Sequence, residues 1–181
     1  ILCNDTHLIL NVPGIWYLNH LNSRQGYHCT GASIAGFPGI LIGHNENIGW
    51  GITLAYTDVE DIFIEKEDIS NPEKYEYCGE FNKFDEINEV IKVKGKNEHI
   101  EKIRQTIHGP LIGSAVGNSS YMISLCSKSI QENSILSGFF QINYASNWAE
   151  FTKGIEKIKA PQLNVIYADV EKNIGLYVSG R

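Results

Sequence analysis

Long basic runs are missing from this chain. No Lys/Arg cluster in its 181 residues exceeds a pair, and 15 basic against 21 acidic side chains leave a formal charge of −6. A surface of that sign offers no electrostatic footprint for a phosphate backbone, which excludes nucleic acid as a partner class. No apolar run approaches the roughly 18 to 20 residues that a membrane-spanning helix needs. Charge is sparse at 20%, beside 43% hydrophobic residues, so the composition excludes intrinsic disorder and supplies a core. Several motifs are absent too. There is no Gly-x-Ser-x-Gly elbow, and no Gly-Lys-Ser/Thr follows the glycines between 31 and 51 to make a phosphate loop. The four cysteines, Cys3, Cys29, Cys78 and Cys126, stand too far apart for zinc spacing and read as structural thiols rather than bridges.

The first residue is Ile1, and the apolar opening Ile1-Leu2-Cys3 has neither a basic flank nor a small-residue cleavage site, so it does not read as a signal peptide. At the other end the chain stops at Gly180-Arg181, one residue after the strand-like run Ile174 to Val178. Both ends read as cut, and residues 1–181 are expected to be a single partial domain of a larger polypeptide.

What is present is strand pattern. Residues 27 to 65 are dense in glycine and β-branched residues, with short runs such as Ile40-Leu41-Ile42 and Ile62-Phe63-Ile64, and predict several short strands with tight turns. Residues 66 to 85 gather Asp, Glu, Asn, Pro and Lys and predict a surface loop. Strand character returns in Val90 to Lys94, Tyr121 to Cys126 and Ile135 to Ile142, while 98–107 fits either period. One helix is clear: Trp148, Phe151, Ile155 and Ile158 share an apolar face, Asn147 with Glu150 forms a capping box, and Pro161 terminates it. Leu163 to Tyr167 predicts a buried strand interrupted by one amide. Many strands with one or two helices make the fold class α+β, with antiparallel sheets.

Three groups of residues carry candidate chemistry. Asp58, Glu60 and Asp61 fall within four positions at a strand junction, as a hard-cation turn or as a solvated acidic turn. His7, His44 and His108 each stand at a turn, where structural roles outnumber general bases. Asn164, inside a strand, needs a hydrogen-bond partner when buried, because an unsatisfied buried amide costs about 1 to 3 kcal/mol. It serves either the neighbouring backbone or an oxyanion. Cys29 beside His28 is a poor nucleophile–base pair, since adjacent strand side chains point to opposite faces.

Taken in order, Asn4-Asp5-Thr6-His7-Leu8, Trp16-Tyr17, His20-Leu21, Gly31-Ala32-Ser33, Gly36-Phe37-Pro38-Gly39 and Ile42-Gly43-His44-Asn45 resemble the penicillin acylase family of N-terminal nucleophile hydrolases, at the start of its β subunit. Ile48 to Thr53, Asp58 to Asp61, Thr106 to Pro110, Asn147 to Phe151, Asn164 to Asp169 and Asn173 to Gly175 extend the resemblance over nearly the whole chain. It implies an αββα sandwich truncated at both ends. It also implies an amidohydrolase that cleaves the linear amide of an acylated amine, such as a penicillin or an acyl-homoserine lactone.

The nucleophile implied is a serine upstream of Ile1, absent from this chain, whose own α-amine acts as base. The fragment alone is therefore expected to be inactive. By motif position, Asn164 resembles the side-chain oxyanion donor, Leu54 the backbone N–H donor, and His7 a positioning residue beside the nucleophile. Leu8, Ile42 and Ile52 match acyl-pocket positions, with ordinary core packing as the alternative. Asp58, Asp61 and the Glu60 carbonyl match a structural calcium turn whose other ligands come from an α subunit of the same precursor. No organic cofactor is implied. Thr6 stands where the family usually has proline, and Leu54 is larger than the small residue seen in some relatives. Family members are exported, which implies a periplasmic or extracellular location. From a different functional class, the alternative is a non-catalytic, calcium-dependent β-sheet binding module.

Overall fold

The computed structural model describes residues 1–117, 120–127 and 135–180. In chain order its elements are β1 (Trp16–Asn22), β2 (His28–Ile34), β3 (Ile42–His44), β4 (Ile48–Leu54), β5 (Glu60–Glu67), β6 (Lys74–Tyr77) and β7 (Glu80–Lys83). Then follow β8 (Asp85–Ile91), β9 (His99–Gln105), β10 (Met122–Ser127), α1 (Ile135–Tyr144), α2 (Trp148–Ile155), β11 (Leu163–Asp169) and β12 (Ile174–Val178). All strand pairings are antiparallel, as the sequence predicts. The chain divides into two units, Ile1–Asp58 with Ser129–Arg181, and Val59–Lys128.

The first unit is a six-stranded sheet of order β1-β2-β3-β4-β11-β12 with both helices. In β11 burial alternates, with Leu163, Val165 and Tyr167 inside and Asn164, Ile166 and Ala168 less so, which is the period-2 signature of a strand with one covered face. The covered face meets Phe139 and Ile142 of α1 and Phe151 and Ile155 of α2, and Cys29, Ile40 and Trp50 belong to the same cluster. Each such side chain, fully buried, stabilises the fold by about 1.5 to 3 kcal/mol. The Trp50 indole donates to the Leu41 carbonyl at 2.9 Å, so the largest core side chain leaves no polar atom unpaired.

Helix α2 begins as its sequence predicts. The Asn147 side chain accepts from the Glu150 backbone N–H at 3.0 Å, but the Glu150 carboxylate reaches one residue further back, accepting from the backbone and hydroxyl of Ser146. Ile135 to Ile142, predicted as strand, is helix α1. A short apolar run does not separate the two periods by itself. Here Gly138, Phe139, Ile142 and Asn143 fall on one buried helical stripe, and packing against α2 decides the outcome.

Asn143 ties this unit together. Its Oδ1 accepts from the Tyr27 hydroxyl at 2.6 Å and from the Ile40 N–H at 2.9 Å, and its Nδ2 donates to the Ile40 carbonyl at 2.8 Å. Its own carbonyl accepts from the Cys29 thiol and from Asn45 Nδ2, both at 3.1 Å. Burial pushes the Cys29 thiol up to about 11 and holds the Tyr27 hydroxyl above its ordinary range. All four cysteines are free.

The second unit holds a four-stranded sheet of order β10-β5-β6-β7 and a separate β8-β9 ribbon. The loop predicted over 66–85 is therefore a hairpin, β6-β7, following the end of β5. Tyr77 pairs with Glu80, and the two residues between, Cys78 and Gly79, have φ of 53° and 83°. That is the left-handed pair a two-residue hairpin turn demands, and Tyr75 and Phe84 stack beneath it and supply the burial that the polar composition concealed. The ambiguous 98–107 stretch is strand, β9.

Glu65, only 8% exposed, organises this unit. Its Oε1 accepts from Thr106 Oγ1 at 2.6 Å, from Ser124 Oγ at 2.5 Å and pairs with His108 Nδ1 at 2.9 Å. Burial alone would push its carboxyl up, but the hydrogen bonds from Ser124, Thr106 and His108 outweigh it and hold the carboxyl below the usual range. The His108 ring lies flat on Phe63 at 3.9 Å.

Candidate active site

Strand register builds the site. Asn164 of β11 stands opposite Thr53 of β4, and Leu163 opposite Leu54. The Asn164 amide nitrogen donates to Thr53 Oγ1 at 3.4 Å and to the Leu54 carbonyl at 3.3 Å, both long bonds at the sheet surface. Ala55 N–H donates to the Gln162 carbonyl. In an antiparallel ladder bonded and non-bonded pairs alternate, so Leu54–Leu163 is a non-bonded pair and the Leu54 N–H is directed away from β11. On that same edge of β4, two residues back, Asn4 satisfies Ile52 in both directions, its Oδ1 accepting from the N–H at 3.0 Å and its Nδ2 donating to the carbonyl at 3.2 Å. Asn4 also needs the glycine opposite it. A Cβ on Gly51 would stand 2.7 Å from the Asn4 side chain.

Beside this edge is a cavity of about 330 Å³ lined by His7, Leu8, Trp16, Ile42, Ile52 and Leu54, with Asp5, Thr6, Thr53, Tyr56 and Leu163 completing it. Five of the residues singled out from the sequence, His7, Leu8, Ile42, Ile52 and Leu54, thus meet in one place, and Asn164 adjoins it through Thr53 and Leu54. His7 is exposed, with Nδ1 3.7 Å from Asp5 Oδ2. Sequence reasoning did not pick out two aromatic walls. Trp16 carries a buried indole nitrogen with no partner among the described residues. Tyr56 adopts φ of 50°, an uncommon conformation for a residue with a Cβ. Trp16 stands in the sequence only as part of the Trp16-Tyr17 motif, and Tyr56 only as the end of a strand-like run.

Asp58 lies in the coil after β4, and Glu60 and Asp61 open β5; all three are exposed. The Glu60 carboxylate accepts from Ser127 Oγ at 2.7 Å. Among the described residues, no group of three or more His, Cys, Asp or Glu side chains is gathered to hold a metal ion. His28 and Cys29 diverge as adjacent strand residues must, Cys29 toward the Asn143 carbonyl and His28 toward Glu46.

Comparison with known proteins identifies the family. The sequence matches the penicillin amidase family over residues 1–181. The chain belongs to that family. Among penicillin amidase relatives, it is 33% identical to the acyl-homoserine lactone acylase QuiP of Pseudomonas aeruginosa, aligned over all of this chain and 23% of the relative. It is 32% identical to the penicillin G acylase of Escherichia coli over 86% of this chain and 18% of the relative. The structure matches thermostable penicillin G acylase from Alcaligenes faecalis with a TM-score of 0.73 and 27% identity, over 93% of this chain and 30% of that one. The chain thus spans less than a quarter of the length of these two sequence relatives. The penicillin amidase fold, with its antiparallel α+β architecture, agrees with what the sequence predicts. Among the described residues, no helix is long and apolar enough to cross a membrane.

Proposed function

We propose that this chain is the oxyanion and acyl-binding part of an amidohydrolase that cleaves the linear amide of an acylated amine, of the penicillin or acyl-homoserine lactone type. The observation that carries the reading is the meeting of Asn164 and Leu54 at the rim of a cavity walled by Leu8, Ile42 and Ile52. The nucleophile is a serine preceding Ile1 in the precursor. Its hydroxyl oxygen attacks the amide carbonyl carbon while its α-amine takes the proton. The negative oxygen of the tetrahedral intermediate is held by the Asn164 amide and the Leu54 N–H, a pairing supported by the outward direction of that N–H and by the weak, displaceable bonds the amide otherwise makes. Collapse returns the proton to the leaving amine and leaves an acyl-serine ester, which water then hydrolyses. The apolar walls favour a hydrophobic acyl group, and a volume of this size suits a small acyl chain. His7, at the cavity mouth, positions the nucleophile.

A structural calcium ion belongs to the same reading, held by the carboxylates of Asp58 and Asp61 and the carbonyl of Glu60. Two carboxylates and a backbone carbonyl from one short segment are the oxygen donors a hard cation takes. Three oxygens fall short of the roughly six to eight that calcium takes, so an α subunit from the same precursor supplies the remainder. The family resemblance further supports export to the periplasm or beyond.

The test uses the whole precursor: intact mass and N-terminal sequencing after expression, with a chromogenic acyl-amide assay. Two processed chains, the larger beginning with serine, together with released amine are the expected result. A single unprocessed chain without turnover overturns the reading and leaves a binding module.

A further inference from the structure

We propose a divalent transition-metal site of the zinc type on the outward face of the β1-β2 hairpin, with the Nε2 atoms of His20 and His28 as its two protein ligands. Strand register brings them together. His20 pairs with Thr30 and Asn22 with His28, so the two histidines are diagonal neighbours on one face, while Cys29 between them turns into the core. Their rings do not stack. Centroids are 5.1 Å apart at an interplanar angle of 47°, and the two Nε2 atoms face each other at 3.2 Å.

That separation is informative. Two imidazole nitrogens bound to zinc at about 2.0 to 2.1 Å with a tetrahedral angle lie about 3.3 to 3.4 Å apart, whereas adjacent ligands of a square-planar ion lie about 2.8 to 3.0 Å apart. The observed spacing is that of an N–H···N hydrogen bond and lies close to the tetrahedral value, so a tetrahedral ion could replace the shared proton with little movement of either ring.

The other ring nitrogens are occupied as a metal site requires. His28 Nδ1 is 3.0 Å from the Glu46 carboxylate, so that nitrogen carries the proton and Nε2 presents a lone pair. His20 Nδ1 is 3.2 Å from Thr30 Oγ1. A hydroxyl both donates and accepts. Without an ion, Thr30 donates to His20 Nδ1 and His20 Nε2–H donates to His28 Nε2. With an ion, His20 carries its proton on Nδ1, donates it to Thr30, and frees the second lone pair. Binding therefore moves a proton within one ring. His20 and Glu46 are exposed, which leaves water to fill the two remaining positions and makes the ion exchangeable. His44 lies on the same face opposite Thr30, but its Nδ1 bonds the Asn45 carbonyl and it joins neither ligand. Because β1 is the edge strand of its sheet, the ion would fasten that edge to β2.

The test is a titration of the untagged protein with Zn²⁺ by isothermal calorimetry. We expect one ion per chain, at least a tenfold loss of affinity in His20→Ala and in His28→Ala, a loss of about 10- to 100-fold in Glu46→Gln, and no change in His44→Ala. X-ray absorption on the zinc-loaded wild-type protein should show two imidazole nitrogens near 2.0 Å, a readout that needs no variant to fold. Absence of saturable binding, affinity unaltered in both histidine variants, or a spectrum without two imidazoles overturns the proposal.

Discussion

The amide nitrogen of Asn164 on β11 stands 3.3 Å from the carbonyl oxygen of Leu54 on β4, across a pair of antiparallel strands. That distance is long for an N–H···O bond, so the group is held in place by the strand and only loosely by its partner. Asn164→Ala in the full protein is expected to lower turnover by about 10²- to 10³-fold, the usual effect of deleting one oxyanion donor, with the loss in kcat rather than KM. The melting temperature should barely move, because the two bonds it forfeits are weak and at the surface. Turnover within threefold of wild type would count against the assignment.

Asn143 presents the opposite case, an amide whose partners have nowhere else to go. Replacing it with alanine strands the Ile40 N–H and carbonyl and the Tyr27 hydroxyl, and unsatisfied buried groups cost about 1 to 3 kcal/mol each. Asn143→Ala should therefore destabilise the first unit by roughly 3 kcal/mol or more, measured by urea denaturation. Tyr27→Phe, which removes only one of these bonds, should cost about 1 kcal/mol.

Those two asparagines show what the sequence reveals and what it hides. Asn164 is conspicuous because it interrupts a hydrophobic strand of period two, and the capping pair Asn147 and Glu150 announces α2. Asn143 gives no such signal. It directly follows the run Ile135 to Ile142, which reads as strand, and its role exists only once α1 folds over Gly39 and Ile40, contacts more than 100 residues distant in sequence. The β6-β7 hairpin was hidden for a related reason. Its stabilising pair Tyr75 and Phe84 is separated by eight residues with no period-2 pattern, and its turn uses cysteine where asparagine or aspartate usually precedes the glycine. The cavity was legible residue by residue through family motifs, whereas its aromatic walls Trp16 and Tyr56 required the folded chain.

Glu65 predicts an acid limb of stability for the second unit. Its folded carboxyl lies below the ordinary range, so its contribution is fully present above the unfolded value, about 4.3, and is lost as pH falls through and below that value. Glu65→Gln should lower the melting temperature at pH 7, and the gap from wild type should narrow as pH drops toward about 3. Melting curves recorded across that range distinguish this from a packing defect, which would leave the gap constant.

Helices α1 and α2 approach closely through two glycines. A Cβ on Gly138 would lie 2.8 Å from the Gly154 carbonyl oxygen, and one on Gly154 would lie 3.0 Å from that of Gly138. Neither carbonyl belongs to a side chain that can rotate away. Although alanine is the better helix former by about 1 kcal/mol, Gly154→Ala should destabilise the protein by about 1 to 3 kcal/mol, because overpacking outweighs propensity. A stabilised variant in thermal unfolding would mean that the helices separate at little cost.

The four free thiols should differ sharply in reactivity. Cys3 and Cys78 are exposed, whereas Cys29 is buried and donates to the Asn143 carbonyl. Burial lifts its pKa to about 11, so at pH 8 roughly one part in a thousand is thiolate, and that fraction is shielded from reagent. An aromatic disulfide reagent should label Cys3 and Cys78 quickly and Cys29 only after unfolding. Raising the pH to 9 should not speed its labelling tenfold, as it would for an accessible thiol of that pKa, because opening of the core limits the reaction. Labelling of Cys29 at the rate of Cys3 would show that the contact between α1 and β2 opens readily, and would also lower the cost expected for Asn143→Ala.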